Sequence, residues 1–127
     1  MWTFYDYVDE TGTNLIFEWL SGLSVKARAK VQTRIRNLER LPREQWGDWT
    51  GSLVGSGWEG ILEMRFFVDR VRLRPLFCYG PGQRAATILM GAVEVGGEIE
   101  PRSASATCRA RASEVRRGNH AVRHRFG

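Results

Sequence analysis

Apolar and polar positions alternate with a period of two from Ile61 to Phe67, where Leu62, Met64 and Phe66 share one face and Ile61, Glu63 and Arg65 the other. After the turn residues Val68-Asp69-Arg70 the alternation resumes, with Val71, Leu73, Phe77 and Tyr79 set against Arg72, Arg74, Leu76 and Cys78. Two such runs around a short turn predict a β-hairpin. With its apolar faces together, the hairpin brings Glu63, Arg65, Arg72 and Arg74 to one surface. Three arginines beside one carboxylate suit a polyanion.

The rest of the chain builds around this hairpin. Trp2 to Val8 is aromatic and β-branched enough for an opening strand inside the sheet. Asp9 to Gly12 has turn chemistry, Thr13 can cap a helix with the stripe Ile16, Phe17, Trp19, Leu20 and Leu23, and Gly22 ends it. Ser24 then caps a second helix, in which Val25, Ala29, Gln32, Ile35, Leu38 and Leu41 recur at helical spacing until Pro42. Residues 43–57 read as a Gly- and Trp-rich loop with a short strand at Ser52 to Val54; Trp46 and Trp49 either cover the helix pair or stack on bases. Gly80 to Gln83 is a turn, and Ala86 to Val93 predicts a strand buried on both faces at its centre. Gly96-Gly97 breaks that pattern, and Ser103 or Ser105 can cap a helix running to about Arg116. The expected class is α+β: an N-terminal strand, an αα-hairpin, an antiparallel meander giving four to five strands in total, and a C-terminal helix. Residues 1–117 form the expected domain, and 118–127 a basic tail whose Val122 and Phe126 can dock on the sheet.

Length and composition narrow the class. A chain of 127 residues with 43% hydrophobic and 11% aromatic residues can bury a core as one domain. A net charge of +5 favours a nucleic-acid, ribosomal or acidic-protein partner. Seventeen of the nineteen cations are arginine, which fits bidentate grip on phosphate and equally fits a high-GC genome. The second helix carries Lys26, Arg28, Lys30, Arg34, Arg36 and Arg40 against Glu39 on its outer face, a stripe that either docks on RNA or is simply solvated. From Pro101 onward there are seven arginines and one acid, as an RNA-contacting arm or a solubilising tail would have. Cys78 and Cys108 have neither disulfide nor metal-ligand spacing, and His120 and His124 lack an acidic co-ligand. No window is long and apolar enough to span a bilayer and no targeting segment stands out, so a reducing cytoplasm is expected.

Trp58-Glu59-Gly60-Ile61-Leu62-Glu63-Met64-Arg65, followed by Arg74 and Tyr79, resembles the G-L-W-E-L-R … Y-R-x-x-Y hairpin of the RelE/ParE toxin superfamily, in particular its phage-encoded HigB-like branch. Leu73 stands where that family often has tyrosine. The resemblance implies a type II toxin that cleaves mRNA on the ribosome without a cofactor or metal, with a helix-turn-helix antitoxin as partner. Carried onto this chain, it makes Arg65, Arg74 and Glu63 the candidate catalytic residues and Arg72, Arg84 and Arg102 candidate RNA contacts.

The chemistry tests that assignment. Attack by a 2′-hydroxyl needs a base, an acid for the leaving 5′-oxygen, and cations for the pentavalent phosphate. Arg65 and Arg74 suit the last role, whereas Glu63 beside three arginines serves better as an ion-pair partner than as a base. The family's nucleases usually carry basic residues after the last strand; Gly91 to Glu98 instead offers Glu94 and Glu98 in what reads as an acidic loop. Two other readings therefore stand beside the nuclease: an inactive interaction protein of phage or host on the same scaffold, and a ParE-like topoisomerase-binding toxin.

Overall fold

The computed structural model describes residues 1–118 and 123–127. Strand β1 (Thr3–Tyr7) leads into helices α1 (Leu15–Ser21) and α2 (Val25–Arg40), then two single 3-10 turns, Arg43–Gln45 and Gly47–Trp49. Eight strands follow: β2 (Thr50–Ser52), β3 (Leu62–Met64), β4 (Phe66–Val68), β5 (Val71–Leu73), β6 (Leu76–Tyr79), β7 (Ala85–Met90), β8 (Val93–Val95) and β9 (Glu98–Glu100). Helix α3 (Ala104–Arg116) and strand β10 (Arg123–Arg125) complete the chain. The α+β class is as expected, but the strand count is not. Among the described residues a mixed six-stranded sheet runs in the order β10-β1-β7-β6-β3-β2, and a second, antiparallel sheet in the order β4-β5-β8-β9.

Proline explains the split. The expected hairpin forms, turning through Asp69 and Arg70, both at positive φ as a two-residue primed turn requires. One register runs along it, Leu62 opposite Phe77 at the base and Phe66 opposite Leu73 near the tip, so Arg65 stands across from Arg74. Pro75 has no N–H to extend the ladder. There the hairpin leaves the first sheet: Arg65 N–H donates to Trp49 O, and Arg74 exchanges two backbone hydrogen bonds with Ala92. The distal half, β4–β5, then pairs with β8. Residues 94–98, expected as an acidic loop, belong instead to the β8–β9 hairpin, which turns through Gly96-Gly97.

The larger sheet is covered on both faces. On one side Ile16 and Leu20 of α1, and Ala27, Val31, Ile35 and Leu38 of α2, pack with Phe4, Leu62, Met64, Phe77, Ala86 and Ile88. On the other, Ala104, Cys108, Ala112 and Val115 of α3 pack with Leu76, Cys78 and Leu89. β7 contributes to both cores, as its continuous apolar run predicted. Trp46 is fully buried and donates its indole N–H to Leu38 O at 2.9 Å, covering the helix pair.

Three local assignments shift. Asn14, not Thr13, caps α1, accepting from the Ile16 and Phe17 amides, because Asp9 Oδ1 already holds the Thr11 and Thr13 amides in a side-chain turn. The buried stripe of α2 is turned from the expected one: Val25 is 74% exposed and Glu39 is buried. Glu39 points inward because Phe4 N–H needs an acceptor, which Glu39 Oε2 supplies at 2.8 Å. The basic tail set apart at 118–127 ends in the sheet: β10 pairs antiparallel with β1, and Phe126 is buried. The expected docking of Val122, and any role of His120, lie outside the described residues.

Candidate nucleic-acid interface

Where the hairpin changes sheets, its charged residues meet. Arg65 Nε donates to Glu63 Oε2 at 2.8 Å. Arg74 lies deeper, its Nη1 donating to the Phe66 and Leu73 carbonyls and its Nη2 to Glu94 Oε1 at 3.3 Å, with Nε 3.6 Å from Glu63 Oε1. At that separation the Glu63–Arg74 contact is an ion pair without a hydrogen bond, and Arg74 Nε is buried with no hydrogen-bond partner among the described residues. Glu63 and Arg74 are 6% and 8% exposed. The expected open cluster of Glu63, Arg65, Arg72 and Arg74 is therefore layered: Glu63 and Arg74 form a buried pair joined by the partly buried Glu94, with Arg65 half-exposed and Arg72 exposed above it.

This layering corrects the assigned roles. Arg74 cannot reach a phosphate outside, since its donors are turned to backbone carbonyls and carboxylates. Glu63 is held between two guanidiniums. The physical cause is register: Glu63 points to the α3 side of the larger sheet, and the break at Pro75 folds Arg74 back between Glu63 and the β8–β9 hairpin.

Two clefts flank the network. The first, about 420 Å³, is lined by Lys30, Asp48, Trp49, Arg65, Phe66, Phe67, Arg72 and Arg74. Lys30 Nζ donates to Phe67 O at 3.1 Å, and the Arg34 guanidinium lies 3.3 Å from the centre of the Trp49 ring. Phe67 is 60% exposed beneath Arg72, whose guanidinium sits 5.9 Å from that ring's centre. The Arg65 guanidinium sits against Gly51 with Nη2 in the space a Cβ would occupy, so in this position only glycine leaves room for it. Beyond it, Lys26 and Ser24 at the start of α2 reach Asp69 in the hairpin turn. The result is a cationic cleft with exposed aromatic rings, the combination single-stranded nucleic acid uses.

The second cleft, about 540 Å³, lies between the 52–58 loop, the β8–β9 hairpin and the start of α3, with Glu63, Glu94, Glu98, Arg102 and Trp58 in its wall. Arg102 thus sits beside carboxylates, apart from the cationic cleft. Arg84 is further removed, in the turn before β7, where it joins Trp2, Arg40 and Arg43. Of the six residues assigned from sequence, Arg65, Arg72 and Arg74 line one cleft, Glu63 backs it, and Arg84 and Arg102 do not join it. Lys30 and Arg34 of the basic α2 stripe, and Trp49, each weighed as a possible RNA contact, were not joined to the hairpin residues, and Phe67 was not singled out at all. The i, i+4 spacing of Lys30 and Arg34 was the signal for their shared side of the helix.

The thiols take no part: burial pushes Cys78 up to about 11 and Cys108 up to about 12. Among the described residues no cluster of three or more His, Cys, Asp or Glu could hold a metal ion, and no helix is long and apolar enough to cross a membrane.

The fold and site define a small α+β domain with a cationic, aromatic cleft beside a buried Arg–Glu network. No family model, curated protein or solved structure matches this chain.

Proposed function

We propose that this chain is a toxin of a type II toxin–antitoxin pair, of the RelE/ParE type, whose cationic cleft engages messenger RNA on the ribosome. The observation that carries the reading is the cleft itself: Lys30, Arg65 and Arg72 line a groove with Trp49 and Phe67, giving cations for phosphates and rings for unstacked bases. The element order agrees with the family part of the reading only coarsely, in that one strand and an αα-hairpin precede the remaining strands and a helix follows β9. Of the motif of the resemblance, Arg65 and Arg74 line this same cleft, while Trp58 and Glu63 face the second one. In cleavage Arg65 is the cation that meets the pentavalent phosphate, while Glu63 and Arg74 hold it in place. A helix-turn-helix antitoxin remains the partner this reading requires.

Expression without an antitoxin is expected to slow growth, and the purified protein to cleave mRNA on translating ribosomes. Arg65→Ala should lose cleavage while keeping its melting temperature. A second reading, an interaction protein that binds without cutting, is favoured by the burial of Glu63 between two arginines, which takes the motif's own carboxylate out of the role of base. Cleavage by neither wild type nor Arg65→Ala, where a family nuclease works in parallel, would remove the nuclease and leave this second reading.

A further inference from the structure

Helix α2 carries two basic borders, and only one faces the cleft. At 3.6 residues per turn, Lys30 and Arg34 flank one side of the buried stripe, while Arg36 and Arg40 flank the other. On that second side a cavity of about 420 Å³ opens between the end of α2, the start of β1 and the β6–β7 turn, lined by Trp2, Arg40, Leu41, Pro42, Arg43, Glu44 and Arg84. It adjoins a smaller one of about 320 Å³ to which Arg40 also contributes, with Arg36 and Arg125. Five arginines thus converge on one region. Among the described residues none of them makes an ion pair, and Glu39, the nearest buried acid, is committed to the Phe4 amide. Contrast the hairpin, where Arg65 and Arg74 are matched by Glu63 and Glu94.

The site is also aromatic. Arg43 donates to Tyr79 Oη and lies over the Trp46 and Tyr79 rings, 4.7 and 5.7 Å from their centres, which fixes its guanidinium at the cavity wall. Trp2, edge-on to Trp46 at 5.1 Å, is only partly buried, and its ring forms part of the wall. Unpaired arginines set beside a partly open indole match a nucleotide, with phosphate on Arg40 and Arg84 and the base against Trp2. An acidic peptide would use the cations and leave the ring without a role.

We infer that this cavity is a second subsite for single-stranded RNA, across α2 from the cleft. The inference rests on the RNA reading above for its choice of ligand, and the two sites make separable predictions. Along α2, Lys30 and Arg40 are about 15 Å apart, so a strand reaching both must be several nucleotides long.

The experiment measures binding of a labelled 12-nucleotide oligouridylate by fluorescence anisotropy across a salt series. It compares wild type, Arg72→Ala, and the double variant Arg40→Ala/Arg84→Asn; asparagine is chosen because Arg84 has φ of +52°, which asparagine tolerates. Circular dichroism melts confirm folding. The double variant is expected to bind about tenfold more weakly, with its log–log salt slope shallower by about 1.4, two phosphate contacts. Ultraviolet cross-linking of the wild type should label Trp2. Unchanged affinity and slope in the folded double variant overturn the subsite, whatever Arg72→Ala does. Loss in the double variant with none in Arg72→Ala keeps the subsite and overturns the cleft as the RNA site. No oligouridylate binding by wild type, or stronger binding of poly-glutamate in its place, overturns both.

Discussion

The Arg74 guanidinium is buried against the Glu63 carboxylate, Nε to Oε1 3.6 Å, at the point where one hairpin passes from one sheet to the other. Two nearly inaccessible charges of opposite sign depend on each other there, with Glu94 as the second acid on Arg74. Arg65, on the same Glu63, has its side chain 41% exposed. The two arginines of the hairpin motif therefore differ in what they do, although they stand across from each other on the strands.

Replacing Arg74 by alanine leaves Glu63 with only the half-exposed Arg65 and frees two backbone carbonyls. The expected cost is about 3 kcal/mol, that of breaking a buried pair, or a fall of roughly 10 °C in Tm for a domain of this size. Arg65→Ala should cost less than about 1 kcal/mol because water replaces much of its contact. Urea denaturation of the two variants side by side decides it; equal losses would contradict the layering.

At Gly51 a methyl group would displace the Arg65 guanidinium lying on it. The colliding atoms are the end of a flexible side chain, so Gly51→Ala should change stability by less than about 1 kcal/mol. It should nevertheless weaken RNA binding at the cleft, because Arg65 is pushed off its support. A variant that melts normally and binds RNA as wild type would show that Arg65 orientation does not matter.

Asp6 is buried in β1, with Oδ2 held by Asn14 and Oδ1 without a hydrogen-bond partner among the described residues. Burial raises its pKa, against smaller opposing effects of the Asn14 hydrogen bond and the nearby His124. A carboxyl whose folded pKa lies above its unfolded value penalises the fold once ionised, so the penalty is full above the folded pKa and vanishes below the ordinary value near 3.8. Asp6→Asn should raise Tm at pH 7, and the gain should shrink as pH falls through that window. A gain that grows on acidification would reverse the assignment.

Both thiols should resist alkylation in the folded protein at pH 8, since burial keeps them protonated and covered. Iodoacetamide labelling followed by mass spectrometry should show modification of Cys78 and Cys108 only in denaturant. Rapid native labelling of Cys108 would mean that α3 separates readily from the sheet.

Local pattern alone determined the elements that local physics controls: β1, the two N-terminal helices, the Ser24 cap, the turn at Asp69-Arg70, the doubly buried β7 and the helix near Ala104. Each follows from a period, a cap or a turn residue within a few positions. The second sheet was beyond that reach, because Pro75 marks a break but not where the freed strands will pair; that depends on Arg74 meeting Ala92, far along the chain. For the same reason the charged residues of the hairpin were legible as a group but not as layers. A period of two places Glu63, Arg65 and Arg74 on a face, yet whether that face is open to water depends on what packs over it, here the β8–β9 hairpin with Glu94. Glu39 turned inward for a comparable reason, since only the folded chain leaves Phe4 N–H without a strand partner. The composition supplied the excess of arginine, and the tertiary structure decided which arginines were neutralised by buried acids and which remained free for a ligand.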